Sequence, residues 1–115
     1  MTLTTNLKHL ATEKELKDLV AKEPVVMVCC GRMGPMCIPV YDVMEELEKG
    51  GEFPTVAFRD MPFDSPESDY IRKLPECRSF RGLPYTVYFK DGKVAKATSS
   101  IQSKDQVVSI LKQIV

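Results

Sequence analysis

Tryptophan is absent from this chain, histidine occurs once (His9), and neither sign of charge is in surplus, with Lys+Arg 16 against Asp+Glu 16. Without a basic excess there is little to release counterions from a phosphate backbone. That argues against a nucleic-acid partner and against attraction to an anionic membrane. Long apolar runs are missing too. The longest, Pro24 to Cys30, is far too short to cross a bilayer. The first ten residues, Met1 to Leu10, hold no apolar segment of the secretory kind, so the expected location is cytoplasmic. Repeats, low-complexity stretches and linkers are also lacking. What is present is 115 residues, 43% hydrophobic and 28% charged. That is an ordinary globular composition, long enough to bury a core as one domain spanning residues 1–115. Four cysteines occur, Cys29, Cys30, Cys37 and Cys77. In a cytoplasmic chain of this size such thiols point to free, metal-binding or redox-active roles before a disulfide framework.

The pattern alternates strands and helices. Asn6 to Leu10 reads as a short edge strand. Thr12 and Glu15 make a capping box ahead of an amphipathic helix over 13–22, with Leu16, Leu19 and Val20 on one face. Pro24 ends it. Val25 to Cys30 is continuously apolar, as expected of a strand covered on both faces. A turn-rich loop, Gly31 to Pro35, leads to a helix over about 36–49 with Val40, Val43, Met44 and Leu47 at helical spacing and Pro39 near its start. Gly50-Gly51 closes it. Thr55 to Arg59 is a second buried strand, and Asp60 to Pro66 reads as loop. Ser65-Pro66-Glu67 opens a helix that stops at Leu74. Pro84 to Lys90 and Val94 to Thr98 are strands joined by the turn Lys90-Asp91-Gly92-Lys93. Ser103 and Gln106 cap a last helix, whose apolar face is Val107, Ile110, Leu111 and Ile114. The order β-α-β-α-β-α-β-β-α predicts an α/β sandwich around a mixed sheet.

The segment Arg81-Gly82-Leu83-Pro84-Tyr85-Thr86-Val87-Tyr88-Phe89-Lys90-Asp91-Gly92-Lys93-Val94 resembles the thioredoxin family, whose pattern there is R-[GS]-[IV]-P-T-x-x-x-F-x-[ND]-G. Spacing runs on without a gap to Ser103-Lys104-Asp105-Gln106, similar to the start of that family's last helix. Val25 to Cys30 resembles its central strand, Gly34-Pro35 falls where it has WCGPCK, and the likeness covers about residues 6–114. The resemblance implies a thioredoxin-like fold with Pro84 in the cis form. It also implies a substrate groove walled by Leu83, Pro84 and Tyr85 beside the start of the second helix, no bound cofactor, and a reductant of thioredoxin-reductase type.

The chain departs from that family at its chemistry, because no C-x-x-C occurs in it. Two registers fit. In one, Met33-Gly34-Pro35-Met36 replaces Cys-Gly-Pro-Cys. In the other, Gly34-Pro35-Met36-Cys37 does, and only the inner cysteine survives. Helix phasing favours the second. Either way the attacking thiol is missing. The family's buried acid is replaced by Met27 or Val28, and the Trp before the motif is gone.

Cys37, in the first turn of the second helix where the helix dipole favours a thiolate, is the leading functional candidate; a small buried hydrophobe is the alternative. Cys30 ends the strand six residues earlier and is the candidate partner for a Cys30–Cys37 disulfide. That bond needs Cα atoms roughly 4.4–6.8 Å apart. Cys29 must face away from Cys30 and reads as core, and Cys77 as a loop thiol. A zinc site from Cys29, Cys30, Cys37 and His9 is disfavoured because adjacent strand residues point apart. Met33 and Met36 flank Gly34-Pro35 as thioethers able to meet a partner peptide or to pack under the loop. Tyr85 is placed to narrow the groove or to stack on a ligand, and Arg32 and Arg81 to border it and favour an acidic partner, with plain solvated arginines as the alternative. Two functions follow. One is an atypical thiol–disulfide redox protein using Cys37, with Cys30 as candidate second thiol, on protein or peptide thiols and disulfides. The other is a non-catalytic binding module that keeps the proline groove.

Overall fold

Every residue of Val25–Gly31 is buried, so that strand needs cover on both faces, and the neighbouring elements supply it. The computed structural model describes residues 5–79 and 82–115. Among these, β1 is Lys8–His9, α1 Glu13–Lys22, β2 Val25–Gly31, α2 Ile38–Gly50 and β3 Val56–Pro62. Then follow α3 at Asp69–Arg72, β4 at Tyr85–Lys90, β5 at Lys93–Ser99 and α4 at Lys104–Ile114. The sheet order is β1-β3-β2-β4-β5. β3 runs parallel to both β1 and β2, whereas β4 is antiparallel to β2 and to β5. β2 therefore sits in the middle of the sheet.

Alternation along β2 divides the core in two. Val25, Met27 and Cys29 face α2 and α4, meeting Val40, Tyr41, Met44, Leu47, Val107 and Leu111. Val26, Val28 and Cys30 face the other way, towards Leu16 and Val20 of α1 and Ile71 of α3. Fully burying a side chain such as Leu16 or Met44, both 0% exposed, contributes about 1.5–3 kcal/mol.

Local signals explain most element ends. The Thr12 side chain accepts the Glu15 N–H at the head of α1. Ser103 and Gln106 form the reciprocal capping box of α4. Gly51 ends α2 with φ 69. Asp91 (φ 51) and Gly92 (φ 84) make the two-residue hairpin turn, with both central residues in the left-handed region that such a turn requires.

Three expectations are corrected. β3 does not stop at Arg59 but runs through Asp60 to Pro62, because β2 keeps pairing with it as far as Gly31↔Pro62. The edge strand is two residues rather than five. The helix expected over 66–74 breaks into a 3₁₀ turn at Pro66–Ser68, one α turn, and a second 3₁₀ segment at Pro75–Ser79. Tertiary bonds override its helical pattern: Ser68 Oγ donates to the Pro62 carbonyl at 2.6 Å, and the Arg72 guanidinium donates to the carbonyls of Phe63 and Ser65.

Candidate functional site

α2 begins later than its sequence pattern implies. Cys37 is its N-cap, and the turn before it is closed by Cys37 N to Gly34 O (3.1 Å) and Ile38 N to Gly34 O (3.0 Å). Pro39, in the first turn, has no N–H to leave unsatisfied. The turn swings the Cys37 side chain inward, where it is 2% exposed.

The space it enters is left by Gly31, the last residue of β2. A Cβ at Gly31 would lie 2.7 Å from Tyr41 Oη, 2.9 Å from Cys37 Sγ and 3.2 Å from Pro84 Cβ. Two side chains of α2 and the proline before β4 thus converge on bare backbone. The Leu83–Pro84 peptide is cis. Arg32 N donates to Cys37 Sγ at 3.4 Å, and Tyr41 Oη donates to the Arg32 carbonyl at 3.2 Å.

Above Cys37 opens a groove of about 450 Å³. Arg32, Gly34, Pro35, Met36 and Cys37 line it together with Phe63, Gly82 and Leu83. Met36, which lines it, is 44% exposed, and its chain neighbours Met33 and Ile38 are each 38% exposed. The Phe63 N–H donates to the Gly31 carbonyl at 3.0 Å. A forked pair from Arg32 to Asp64, at 2.6 and 2.7 Å, holds the Arg32 side chain. The hydrogen bond from Arg32 holds the Asp64 carboxyl below its ordinary range and raises the guanidinium in turn. Both partners are exposed, so the pair positions the loop more than it stabilises the fold.

Cys37, Gly34, Pro35, Met36, Leu83 and Pro84 therefore meet where the sequence placed them. Met33 is exposed and is not among the residues lining the groove. Arg81 lies outside the described residues. Cys37 Sγ and Pro84 Cβ both lie over the bare backbone of Gly31.

Two site residues behave otherwise. Cys30 is not brought to Cys37: it points to the opposite face of the sheet, into the cluster with α1 and α3, near Ser68, Arg72 and Cys77. Burial pushes its thiol up to about 12. Tyr85, paired with Cys30 across β2 and β4, is 1% exposed in that same cluster and does not narrow the groove. Both miss for one reason: a strand residue's face is set by parity, and proximity in sequence to the loop does not change it.

The structure also supplies an acid that the sequence reading left in a loop. Asp60 is 0% exposed on β3. Its carboxylate accepts from Thr5 Oγ1 and lies 2.5 Å from His9 Nδ1. It stands beside Cys29 across the parallel pair, and Thr86 beside Cys29 across the antiparallel one. Thr86 Oγ1 donates to Cys29 Sγ at 3.8 Å. Burial raises the Cys29 thiol well above its ordinary value. The missed signal was period two: Val56, Phe58 and Asp60 share a parity, so extending the strand one residue would have set the acid on the core face. All four cysteines are free thiols. Among the described residues no helix is long and apolar enough to cross a membrane, and no group of three or more His, Cys, Asp or Glu could hold a metal ion.

No protein-family model matches the chain, and no curated protein matches it in sequence. Solved structures do. Mitochondrial thioredoxin 3 of Saccharomyces cerevisiae, in its oxidised form, superposes with TM-score 0.73 at 21% identity, covering 93% of this chain and 94% of that one. A thioredoxin of Malassezia sympodialis gives TM-score 0.75 at 16% identity over 99% and 95%. A thioredoxin of Halobacterium salinarum gives 0.71 at 21% over 98% and 96%. Likeness of this extent at such low identity speaks for architecture, and it agrees with the sheet order and the groove beside the head of α2: the chain has the thioredoxin fold.

Proposed function

We propose that the protein acts in thiol–disulfide redox homeostasis through an atypical site whose reacting thiol is Cys37, with protein or peptide disulfides as partners. One observation carries the reading: Cys37, the N-cap of α2, lines an apolar groove, and its sulfur and Pro84 converge on the bare backbone of Gly31. A disulfide lying in the groove presents one sulfur to Cys37. The Cys37 thiolate attacks it, the old S–S bond breaks, and the departing sulfur leaves as a thiolate that takes a proton from solvent. Negative charge on Cys37 faces the Arg32 N–H and the positive end of the helix, the groups that hold such charge. A second thiol must then release the mixed disulfide. It comes from this chain or from an external reductant, for which the fold suggests one of thioredoxin-reductase type. The cytoplasm, with its reduced thiol pool, suits such a cycle.

The test is insulin reduction with dithiothreitol, comparing the native chain with Cys37→Ser. Native activity that falls to the uncatalysed background in the variant is expected; equal activity in both overturns the reading. Inactivity of both favours the binding-module reading. That alternative draws on the 2% exposure of Cys37 and on the exposed apolar side chains of Met33, Met36 and Ile38, which would dock a peptide without chemistry.

A further inference from the structure

We propose that the second thiol of this site is Cys29, and that the oxidised protein carries a Cys29–Cys37 disulfide. The proposal rests on the reading of Cys37 given above and assigns the group that completes its cycle.

The face of β2 that meets α2 carries Cys29 and then Gly31. Because Gly31 has no side chain, the Cys37 sulfur occupies the space over it. Cys29 is the next side chain on that face, about 6.7 Å back along the strand. Both thiols belong to one buried cluster, whereas Cys30 belongs to the other, beyond the sheet. The two sulfurs also feel each other's charge: a thiolate at Cys37 raises the Cys29 thiol. Cys29 is further singled out by its surroundings. Its neighbours across the sheet are Asp60 and Thr86, both 0% exposed, and the Thr86 hydroxyl is directed at its sulfur. Asp60 is itself paired with Thr5 and His9, so the polar group turned to the Cys29 sulfur is the Thr86 hydroxyl. Closing the bond needs rotation of both side chains and movement of the turn Gly34–Cys37 until the Cα atoms come within the bridgeable range of roughly 4.4–6.8 Å.

The sequence of steps balances. Cys37 attacks a disulfide R–S–S–R′ and releases R′S⁻, leaving Cys37 bonded to RS. Cys29, deprotonated as its proton passes to a departing thiolate, attacks Cys37 Sγ and expels RS⁻. The chain loses two electrons and two protons to form Cys29–Cys37, and the substrate gains both as two thiols. An external dithiol reverses the change.

Glutathione disulfide serves as the probe, applied to the native chain and to Cys29→Ser and Cys30→Ser. Cys29 and Cys30 share one tryptic peptide, ending at Arg32, while Cys37 lies on the next. Mass spectrometry of the digest therefore needs the variants to assign the link. The expected result is a link between these peptides in the native chain and in Cys30→Ser. In Cys29→Ser the link is lost, and a Cys37–glutathione mixed disulfide accumulates about tenfold or more, since nothing expels the second glutathione. A link that survives in Cys29→Ser, or that vanishes in Cys30→Ser, overturns the proposal. So does a native chain that stays glutathionylated at Cys37 without linking. Cys29→Ala, which puts no hydroxyl into the core, repeats the trapping test should the serine variant melt early. If Cys37→Ser retains insulin reduction, the underlying reading of the site fails. If Cys37→Ser is inactive but Cys29→Ser behaves as native, only the assignment of Cys29 fails.

Discussion

The two faces of β2 look alike in the sequence and differ sharply in the fold. On the back face, Val26, Val28 and Cys30 meet α1 and α3 in a mostly apolar core, where the Cys30 thiol has the Ser68 hydroxyl as its polar neighbour. On the front face, Met27, Cys29 and Gly31 meet α2, and polar groups gather: Asp60 and Thr86 beside Cys29, with Tyr41 Oη and the Cys37 sulfur over Gly31. Both faces are equally buried. What separates them is that the front face ends in a glycine, under a helix start and a proline, so its last position is filled from outside the strand. A site can thus be built into the edge of a core without an exposed cleft running through it.

The comparison can be broken most severely at Gly31. Gly31→Ala drives a Cβ into Tyr41 Oη, Cys37 Sγ and Pro84 Cβ. Overpacking of this kind costs about 1–3 kcal/mol, and it should displace Cys37, slowing its alkylation by iodoacetamide. Urea unfolding and alkylation rates measure the two effects; Gly34→Ala, with nothing within 4 Å of the new Cβ, is the matched control and should stay within about 0.5 kcal/mol.

Asp60→Ala comes next. It strips the carboxylate from Thr5 and His9 and should cost about 1–2 kcal/mol in urea unfolding, within the usual penalty for unpairing buried polar groups. No loss would show that the front-face polarity is incidental.

The back face is tested by alkali. The Cys30 thiol is pushed up from 9.0 to about 12 by burial, so it stays protonated in the fold where the unfolded chain ionises. Stability from this group is complete below pH 9 and falls as pH rises from there towards 12, by at most about 1.4 kcal/mol per pH unit. Cys30→Val should therefore show a shallower loss of stability between pH 8.5 and about 10 than the native chain, with insulin reduction unchanged. An equal slope would mean that Cys30 is not the inert partner described.

Much of the architecture was legible because it follows from short-range rules. The 13–22 helix, the apolar strand at Val25, the Asp91-Gly92 turn and the Ser103 cap each announce themselves within a few residues, and each stands in the fold. The segment 66–79 was not legible, since Ser68 and Arg72 bond to backbone carbonyls of the preceding loop and those bonds outweigh local propensity. At the site, Cys37, Pro84 and the Gly34-Pro35 turn were visible as a group. The facing of Cys30 and Tyr85 and the strand position of Asp60 are not legible, because strand length and parity decide such questions and neither is marked by a local signal.

By itself the sequence determined the alternation of strands and helices, their caps and turns, and the absence of a C-x-x-C pair; these depend on residue type and on spacing within one element. Only the tertiary structure decided which thiols are neighbours. Facing is counted from a strand's paired register, and the space that holds the Cys37 sulfur exists only where a strand end, a helix start and a proline meet.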